Sequence, residues 1–521
     1  MQTVSQSFHD KSQAGIRKHR WSLLMSFNKQ FDSSRKFFTL DSSSLNGTDV
    51  LSPVGDNPIQ FWDFYSYVPY TDRVISLEWS RQIDFPFSVQ SSNATTVLNN
   101  FDNYFSSRTN SPIAPYLIPG RPTKLFSGYD NEPLLQQFVG LTQDKPELDQ
   151  TARTAKFESL DYLSEIFRLQ LSDSVAMSNV RTDQALAALF HQFGIEAYQY
   201  QLARGRNVIP FLFLEEGLSA ADAFRKIMQA EGGQLWIDEQ GLIRFDQRLV
   251  SATGPVFTFN ESNISAISST EDTELINRVT IQSNIREVQI PQSIHAGSGE
   301  LSSPTLSQPI IIPAGQTTTY NIKLDQPLGG YSPPTLGQIT GDSWFTVGTA
   351  NGTNITSNVV VQSSKLTVNQ LSIKFKNNNV YDVYLTAIEV YGEPAKIIDT
   401  IYYEAFDQSS IDKYGEHLLK IENDLFGSES NCESFAYTII DAYSKFDSII
   451  EMSVKGDPAL QLGDIIWVDT RKISGQFQII KISNSISPAG VKQVIKAKRY
   501  NPRQWFILDQ SKLDGGNVLA P

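Results

Sequence analysis

The sequence predicts a mainly β protein with an α+β part: two β-barrel domains, a small helix-hairpin domain and an inserted β-sandwich or jelly-roll domain. Short apolar runs recur at close spacing and are separated by Gly, Pro, Asn and Asp, which is typical of strands joined by turns. Helical spacing of apolar residues is confined to a few segments. With 521 residues the chain is too long for one ordinary core, so several domains are expected.

The first barrel is predicted over residues 41–165. Asn46-Gly47 lies between two strand-like runs and predicts a tight hairpin. The runs RVISLEWSRQIDFPFSV and ATTVLNNF follow, with the alternation of half-buried strands. Further short runs separated by turn residues favour a barrel or a sandwich.

The helix-hairpin domain is predicted over residues 166–255. Ser219 and Asp222 form the start of a helix that ends at Gly232. The run QLWIDEQGLIRF reads as a hairpin with Gly241 in its turn. An earlier helix is indicated by apolar residues at helical spacing: Leu186, Leu189, Phe190 and Phe193.

The rest of the chain is predicted to be β except for one helical segment. Residues 296–396 carry strand-like runs without helix signals and are read as the inserted domain. Two helices are predicted in IDKYGEHLLKIENDLF and NCESFAYTIIDAYSKF. In IIEMSVK the apolar residues Ile450, Met452 and Val454 share one face, as expected for a strand whose other face is exposed to solvent.

The stretch GDPALQLGDIIWVDT, residues 456–470, reads as a connection between strands. Asp457-Pro458 is predicted to bend the chain, and Leu460 and Leu462 can be buried on one side. Gly463-Asp464 turns the chain into the next strand, because Gly tolerates unusual dihedral angles and Asp accepts backbone hydrogen bonds. The stretch therefore predicts a structural connection, not a reaction centre.

Charge and cysteine content exclude several classes of protein. The 43 Lys and Arg residues against 56 Asp and Glu give a net charge of −13, although residues 1–40 carry +5. An acidic body repels phosphate backbones, so no sequence-specific nucleic-acid binding is expected. Cys432 is the single cysteine, which excludes an intrachain disulfide. No signal peptide is recognised, so synthesis in the cytosol is expected.

Several of these stretches resemble phage tail-hub proteins, also called baseplate-hub, tail-associated or minor tail proteins. GDPALQLGDIIWVD, with FQIIKISNSI and VKQVIKAKR after it, is similar to the closing barrel of that family. SLEWSRQIDFPFSVQSSNATTVLNNFDNYFS, RPTKLFSGYDNEPLLQQFVGLTQ and FESLDYLSEI resemble its first barrel. SAADAFRKIMQAEGGQLWIDEQGLIRF resembles its helix-hairpin unit. The resemblance covers roughly residues 70–500 and excludes the basic N-terminus and the insert.

The resemblance implies a virion protein of the phage tail tip with two hub-type β-barrel domains in each chain. Three chains would then form a homotrimeric ring of six barrels that matches the sixfold tail tube to a threefold fibre or spike. The implied partners are copies of the chain, the distal tail protein ring, the tail tube, the tape-measure protein and a central fibre or spike. The ring would form part of the channel for viral genome ejection.

The resemblance assigns structural roles to residues at the predicted turns and strands. The barrel signature consists of Arg121, Pro122, Phe126, Phe138, Gly140, Asp161, Gly456, Asp457, Pro458, Leu460, Leu462, Gly463 and Asp464. No catalytic, cofactor-binding or metal-binding residue is predicted, and no cofactor is expected.

For the other candidate residues, an ordinary structural or solvent-exposed position is the favoured interpretation over a catalytic or metal-binding role. Glu215-Glu216 is an adjacent carboxylate pair, but adjacent side chains diverge, whereas glycosidases need two carboxyls across a cleft. His417 and Cys432 could form a peptidase pair, yet a buried thiol in an amphipathic helix is the more ordinary outcome. The five histidines are scattered and match no zinc motif.

Two surfaces carry partner hypotheses. Host surface glycan contact is proposed for aromatic residues of the insert, with core packing as the bland alternative: Tyr320, Tyr331 and Trp344. Docking on a neighbouring tail protein or chain is proposed for the basic N-terminal arm, with membrane contact as its alternative: Arg17, Lys18, Arg20 and Trp21.

The predicted ranges are an N-terminal arm (1–40), a first barrel (41–165), an α+β domain (166–255), connecting strands (256–295), an inserted domain (296–396), a helical segment (397–446), a closing second barrel (447–505) and a tail (506–521). The predicted function is a non-enzymatic hub protein of the tail tip. The alternative is a host receptor- or carbohydrate-binding tail protein that acts through the insert. A tail-associated lysin is a third, disfavoured hypothesis.

Overall fold

The fold comes from a computed structural model, in which the chain is mainly β, as predicted. It describes residues 2–13, 17–27, 65–83, 91–107, 111–246, 254–269, 275–290, 292–294, 305–324, 326–329, 335–336, 345–388, 390–446, 449–488 and 490–500. The predicted Asn46-Gly47 hairpin lies outside the described residues.

The first β region follows an N-terminal helix, α1 (Gln6–Gln13). Its strands are β1 (His19–Met25), β2 (Val68–Pro69), β3 (Val74–Gln82), β4 (Asn93–Asn99), β5 (Pro122–Tyr129), β6 (Leu135–Thr142), β7 (Glu147–Asp149) and β8 (Thr154–Leu160). They pair antiparallel in the order β3-β4-β8-β6-β5-β1-β2, with β7 beside β8. Their inward residues share one apolar core, which includes Leu23, Leu77, Leu98 and Phe157.

The predicted N-terminal arm is partly a strand of this region. β1 pairs along its whole length with β5, and Leu23 and Met25 are fully buried. Apolar residues at positions 21, 23 and 25 alternate toward the core, which explains why this basic segment joins the sheet. Removing residues 1–40 would therefore remove a core strand.

The helix that starts at Ser219 and the hairpin that follows it, both predicted from the sequence, are present in the α+β unit. It contains α2 (Leu163–Ile166), β9 (Val175–Arg181), α3 (Thr182–Gln192), β10 (Tyr200–Leu202), β11 (Val208–Leu214), α4 (Ala220–Glu231), β12 (Gln234–Ile237) and β13 (Ile243–Asp246). Ser219 caps α4 by accepting from the Asp222 N–H, and Gly232 ends it with φ 67°. β12 and β13 form the predicted hairpin, with Gly241 at φ 91° in the turn.

A long two-stranded ribbon carries the insert. After β14 (Phe257–Asn260) and β15 (Ile264–Ser269), β16 (Arg278–Val288) leads into the insert. The described strands of the insert are β17 (Gln292–Ile294), β18 (Thr305–Ile312), β19 (Thr317–Lys323), β20 (Thr335–Leu336), β21 (Phe345–Gly348), β22 (Val359–Leu366), β23 (Gln370–Asn377), β24 (Val383–Ile388) and β25 (Val390–Gly392). The chain returns through β26 (Ala395–Phe406), which pairs with β16 so that Ala395 lies opposite Val288.

The insert forms two three-stranded antiparallel sheets, β18-β24-β21 and β19-β23-β22, with a smaller sheet β17-β25-β20. Residues of the first two sheets share one core, which includes Ile312, Val347, Ile373, Phe375 and Leu385. This sharing places the two sheets face to face, as in a sandwich.

The prediction of a helical segment over residues 397–446 is wrong for the first half of that range. Residues 395–406 are strand β26, α5 (Gln408–Tyr414) is short, and β27 (Leu418–Glu422) is a strand parallel to β16. Gly415, at φ 84°, ends α5 and prevents the long helix that the apolar spacing predicts. The second predicted helix is present as α6 (Glu429–Tyr443), which packs on β16 and β26.

The second β region is completed by β28 (Ile449–Val454), β29 (Ile465–Asp469), β30 (Ser474–Ser487) and β31 (Gly490–Arg499). β28 has the predicted alternation, with Ile450, Met452 and Val454 buried. These strands, with β14 and β15, enclose a second apolar core.

The two β regions are joined in one sheet of fourteen strands, and no sheet closes on itself among the described residues. The prediction of two hub-type β-barrel domains is therefore not confirmed, because the two regions share one hydrogen-bonded sheet. The connection is the pairing of Leu77–Gln82 of β3 with Lys481–Ile486 of β30, which we call the seam. β30 is long enough to pair with β29 through its first half and with β3 through its second half.

Candidate functional site

The stretch Gly456–Asp464, which we call the junction loop, has the turn geometry that its sequence predicts. Gly463 has φ 84°, a value that favours glycine. The Asp464 carboxylate accepts from the Gln461 N–H at 2.8 Å, and the Asp457 carboxylate accepts from the Ala459 N–H at 3.0 Å. Leu460 and Leu462 lie in the second β core.

The N-terminal segment binds the junction loop. The Gln2 N–H donates to the Ala459 carbonyl at 2.8 Å, and Arg17 Nη1 donates to the Lys455 and Gly456 carbonyls at 2.7 and 3.0 Å. Phe8 of α1 packs with Ala459 and Tyr129 in a small separate core. The junction loop is therefore a binding surface for the start of the same chain.

The first β region binds the same loop from β5 and β6. The Tyr129 hydroxyl donates to the Gly456 carbonyl at 2.9 Å, and Gln137 Nε2 donates to the Pro458 carbonyl at 2.8 Å. Both donors are buried and lie more than 300 residues from their acceptors in sequence. Because buried carbonyls need partners, these bonds fix the loop against the first β region.

Titratable groups around the junction loop have shifted pKa values. Burial raises the pKa of Asp457, whose Oδ2 has no hydrogen-bond partner. Gln493 of β31 holds the backbone of Asp457 by a 3.0 Å and a 3.2 Å hydrogen bond. Burial, and secondarily the charge of Arg17, lower the pKa of His19 to about 4, and its ring lies 5.0 Å from that of Tyr129. The neutral forms of Asp457 and His19 are thus favoured in this environment.

A buried charged cluster lies where the α+β unit meets both β regions. Arg81 of β3 forms an ion pair with Glu239, in the turn between β12 and β13, and both side chains are at most 3% exposed. Gln461 Nε2 of the junction loop donates to Glu239 Oε2 at 2.9 Å. Gln136 Nε2 of β6 donates to the Glu239 backbone carbonyl at 2.8 Å. One residue, Glu239, thereby joins three parts of the chain.

The electrostatics of this cluster are those of charges removed from water. Burial lowers the pKa of Arg81 to about 10, although Asp238 and Asp464 act in the opposite direction. Burial also raises the pKa of Asp464. Arg81 Nε and Nη2 have no hydrogen-bond partner. A buried donor without a hydrogen-bond partner lowers the free energy of unfolding, because it has lost its bonds to water.

Two further signature residues lie where β6 meets β8. A Cβ atom on Gly140 would be 2.3 Å from the Leu160 carbonyl oxygen, which explains why glycine is needed there. Asp161 follows β8 and accepts from the Ser92 N–H at 2.5 Å. Burial raises the pKa of Asp161 to about 7, and its Oδ1 has no hydrogen-bond partner.

The remaining signature residues occupy structural positions. Pro122 and Phe138 are buried in strands β5 and β6, whereas Phe126 is half-buried beside a bulge. The Arg121 N–H donates to Thr142 Oγ1 at 2.9 Å. The structure brings Gly456, Asp457 and Pro458 together with the first β region, and places Gly140 and Asp161 at a separate position on that region. The role that the family resemblance gives these residues stays a prediction.

The residues of the proposed docking arm contact their own chain. Lys18 and Arg20 are exposed, and Arg20 lies 4.0 Å from the Asp130 carboxylate. Trp21 is half-buried against the first β core. Docking of this segment on a neighbouring protein stays a prediction.

The candidate glycan residues are described only in part. The Tyr320 hydroxyl donates to the Ile311 carbonyl, and its half-buried ring lies 6.3 Å from that of Phe375. This position agrees with the core-packing alternative. Tyr331 and Trp344 lie outside the described residues.

The enzyme candidates show no assembled site among the described residues. Glu215 and Glu216 are both exposed, and Cys432 is buried inside α6 while His417 is exposed. No three His, Cys, Asp or Glu side chains of the described ranges lie close enough together to hold a metal ion. No helix in the described part of the chain is long and apolar enough to span a membrane.

Four residues of the site were not predicted from the sequence: Arg81, Tyr129, Gln137 and Glu239. A signal for Arg81 was present, because Leu77, Trp79 and Arg81 share one face of an alternating strand. Glu239 gave no such signal, since it lies in a polar turn beside Gln240 and Gly241.

No protein-family model matches the sequence, and no curated protein matches it. The chain is similar to several solved structures, whose names identify them as phage tail proteins. The tail protein of prophage MuSo2 from Shewanella oneidensis is 12% identical, with 83% of this chain and 96% of that chain covered and a TM-score of 0.45. A tail protein from Neisseria meningitidis MC58 is 9% identical, with 84% and 94% covered and a TM-score of 0.46. The prophage tail protein gp18 from Listeria monocytogenes EGD-e is 9% identical, with 85% and 94% covered and a TM-score of 0.40.

Proposed function

We propose that this chain is a non-enzymatic structural protein of a phage tail tip. It acts as a homotrimeric hub, or minor tail protein, between the tail tube with its distal tail ring and a central fibre or spike. The ring of three chains forms part of the channel through which the tape-measure protein and DNA leave.

One observation carries this proposal: each chain holds two β regions with separate cores, joined edge to edge at the seam. Two such regions in each of three chains give six around a ring, which matches a sixfold tube to a threefold fibre. The junction loop supports the proposal, because its residues hold strands and an N-terminal helix in fixed positions. The sequence stretches that resemble tail-hub proteins include this loop.

Electron microscopy with mass photometry on the purified chain tests the proposal. A threefold ring with a central hole is expected at about 175 kDa, three times the 58.3 kDa chain. Particles of one chain only, both alone and with tail proteins from the same source, would contradict it.

Replacing residues 289–394 by a short turn separates the hub from the glycan hypothesis. Val288 and Ala395 lie opposite each other on the ribbon, so a two-residue turn can join them. The hub proposal expects ring formation to survive this replacement. A glycan array on the full chain and on the shortened chain tests whether the insert binds host sugars; no binding by the full chain would exclude that alternative.

A further inference from the structure

Strand β26 has one edge that no strand pairs with in the described part of the chain. The order of its sheet is β26-β16-β27, so β26 and β27 are the two outer strands. β26 is twelve residues long. Unpaired N–H and C=O groups along such an edge are a template for another strand. An edge of this length is therefore a candidate site for an added strand.

The second half of β26, residues 399–406, has an exposed apolar face. Tyr402 is 72% exposed and Phe406 is 52% exposed. Tyr403 and Ala405 point the other way, toward the core that α6 covers. Residues 399–406 contain neither Lys nor Pro, the residues that commonly protect an exposed edge. The described residues thus leave two aromatic rings of this edge in water.

The opposite outer strand, β27, is protected from added strands. It is five residues long, and its exposed Lys420 and Glu422 form an ion pair at 2.5 Å. Charged side chains on a short edge strand discourage pairing with another strand. The same sheet therefore has one edge that resists an added strand and one edge that favours it.

The last described strand, β31, ends beside the core that β26 covers. Lys498 of β31 lies opposite Ile449 of β28, and Ile449 belongs to the same core as Ala405 of β26. Trp505 follows Arg499, the end of β31, by six residues, and six extended residues span about 20 Å. The segment that follows β31 can therefore reach β26.

The sequence after β31 contains a strand-like apolar run. Residues 504–508 read QWFIL, in which Trp, Phe and Ile are of the aromatic and β-branched kinds enriched in strands. The other long range outside the described residues, 28–64, leads from β1 to β2 and so begins and ends at the first β region. Residues 501–521 are thus the long range that starts beside the core under β26.

We propose that residues 504–508 of the same chain add to the free edge of β26 as a further strand. Backbone hydrogen bonds to β26 hold the segment. Successive side chains of a strand point to opposite faces, so either register places one aromatic and one aliphatic side chain of QWFIL on the face of Tyr402 and Phe406. The added strand thereby protects the edge and removes both rings from water.

Hydrogen exchange with mass spectrometry tests this proposal on the full chain and on a chain that ends at Tyr500. Peptides from residues 399–406 should exchange about tenfold or more faster in the shortened chain, because the edge amides lose their partners. Peptides from β15, an outer strand of the fourteen-stranded sheet, are the internal control and should be unchanged. Equal exchange of residues 399–406 in the two chains would overturn the proposal.

Paired proline substitutions test the same strand within the full chain, including in the case that the shortened chain fails to fold. Successive N–H groups of a strand point to opposite sides, so one of two adjacent prolines always removes a donor that faces β26. Phe506→Pro with Ile507→Pro should speed exchange of residues 399–406. Asn517→Pro with Val518→Pro, the matched control, should leave it as in the unaltered protein. Identical exchange in the two variants would contradict an added strand at residues 504–508.

A mixing experiment separates a strand of the same chain from a strand of a neighbouring chain. Full chains labelled with a heavy isotope are unfolded and refolded together with an excess of unlabelled shortened chains, and mass spectrometry reads the two separately. The labelled full chains should keep slow exchange at residues 399–406. Fast exchange there would assign the strand to a neighbouring chain and overturn the proposal. The result does not depend on whether the chains form a ring, so it is separate from the test of the hub.

Discussion

The surroundings of the junction loop and the insert are stabilised by different kinds of interaction. At the junction, buried polar groups from residues 81, 129, 137, 239 and 456–464 bond to one another across hundreds of positions in sequence. The insert is held by an apolar core and by strand pairs such as β22–β23 that are close in sequence. The contacts of the insert with the α+β unit include a hydrogen bond from Ser174 Oγ to Asn369 Oδ1 at 2.8 Å. The junction therefore positions parts of the molecule, whereas the insert mainly maintains itself.

The largest expected effect is at the junction, where Arg81→Met leaves Glu239 charged and buried without its partner. We expect the free energy of unfolding to fall by about 3–5 kcal/mol. Urea denaturation followed by tryptophan fluorescence measures it. Arg168→Met, at a side chain that is 62% exposed, is the control and should change it by less than about 1 kcal/mol. Equal effects of the two variants would show that the buried pair does not hold the junction.

In the insert, Phe375→Ala should cost about 3–5 kcal/mol, because a fully buried ring is removed from its core. The loss should stay within the insert, since its core is separate. Limited proteolysis with mass spectrometry should find new cleavage in residues 305–388 and none in the two β regions. Lys374→Ala, on the exposed face of the same strand, is the control. New cleavage throughout the chain would show that the insert and body unfold together.

Asp161→Asn tests how a buried carboxyl of the first β region makes the stability of the protein depend on pH. The folded pKa of about 7 lies above the ordinary 3.8, so the folded chain keeps a proton that the unfolded chain loses. The stability of the unaltered protein should therefore fall, relative to the Asn variant, as the pH rises from about 4 to about 7. The difference amounts to at most about 4 kcal/mol.

Denaturation midpoints at pH 4, 6 and 8 measure this difference. Asp144→Asn, at an exposed carboxyl, serves as the control and should show no such trend. A constant offset between Asp161→Asn and the unaltered protein at all three pH values would contradict the raised pKa.

The smallest effect is expected from Gly140→Ala, where the new methyl group would press on the Leu160 backbone. We expect a loss of about 1–3 kcal/mol, because backbone cannot move aside as a flexible side chain can. Thermal unfolding measures it. Gly254→Ala, which has open space around the position and no positive φ, should be neutral. If both substitutions are neutral, the approach of β6 to β8 is looser than the structure indicates.

The sequence by itself determined the local elements whose signals are short in range. The Ser219 cap, the Gly241 turn, the alternation in β28 and the strands in the described part of the insert all depend on neighbouring residues, and the structure agrees with each. The prediction from the sequence was wrong after residue 411. The apolar spacing there favoured a helix, but residues 418–422 form a strand because they pair with β16.

Only the tertiary structure decided how these elements meet. The seam, the binding of the N-terminal segment to the junction loop, and the Arg81–Glu239 pair each join residues more than 100 positions apart. No local pattern encodes such pairings, because a carboxylate in a polar turn looks the same whether it meets water or a buried guanidinium. The physical reason is burial: the cost of removing charges from water appears only when distant segments close over them.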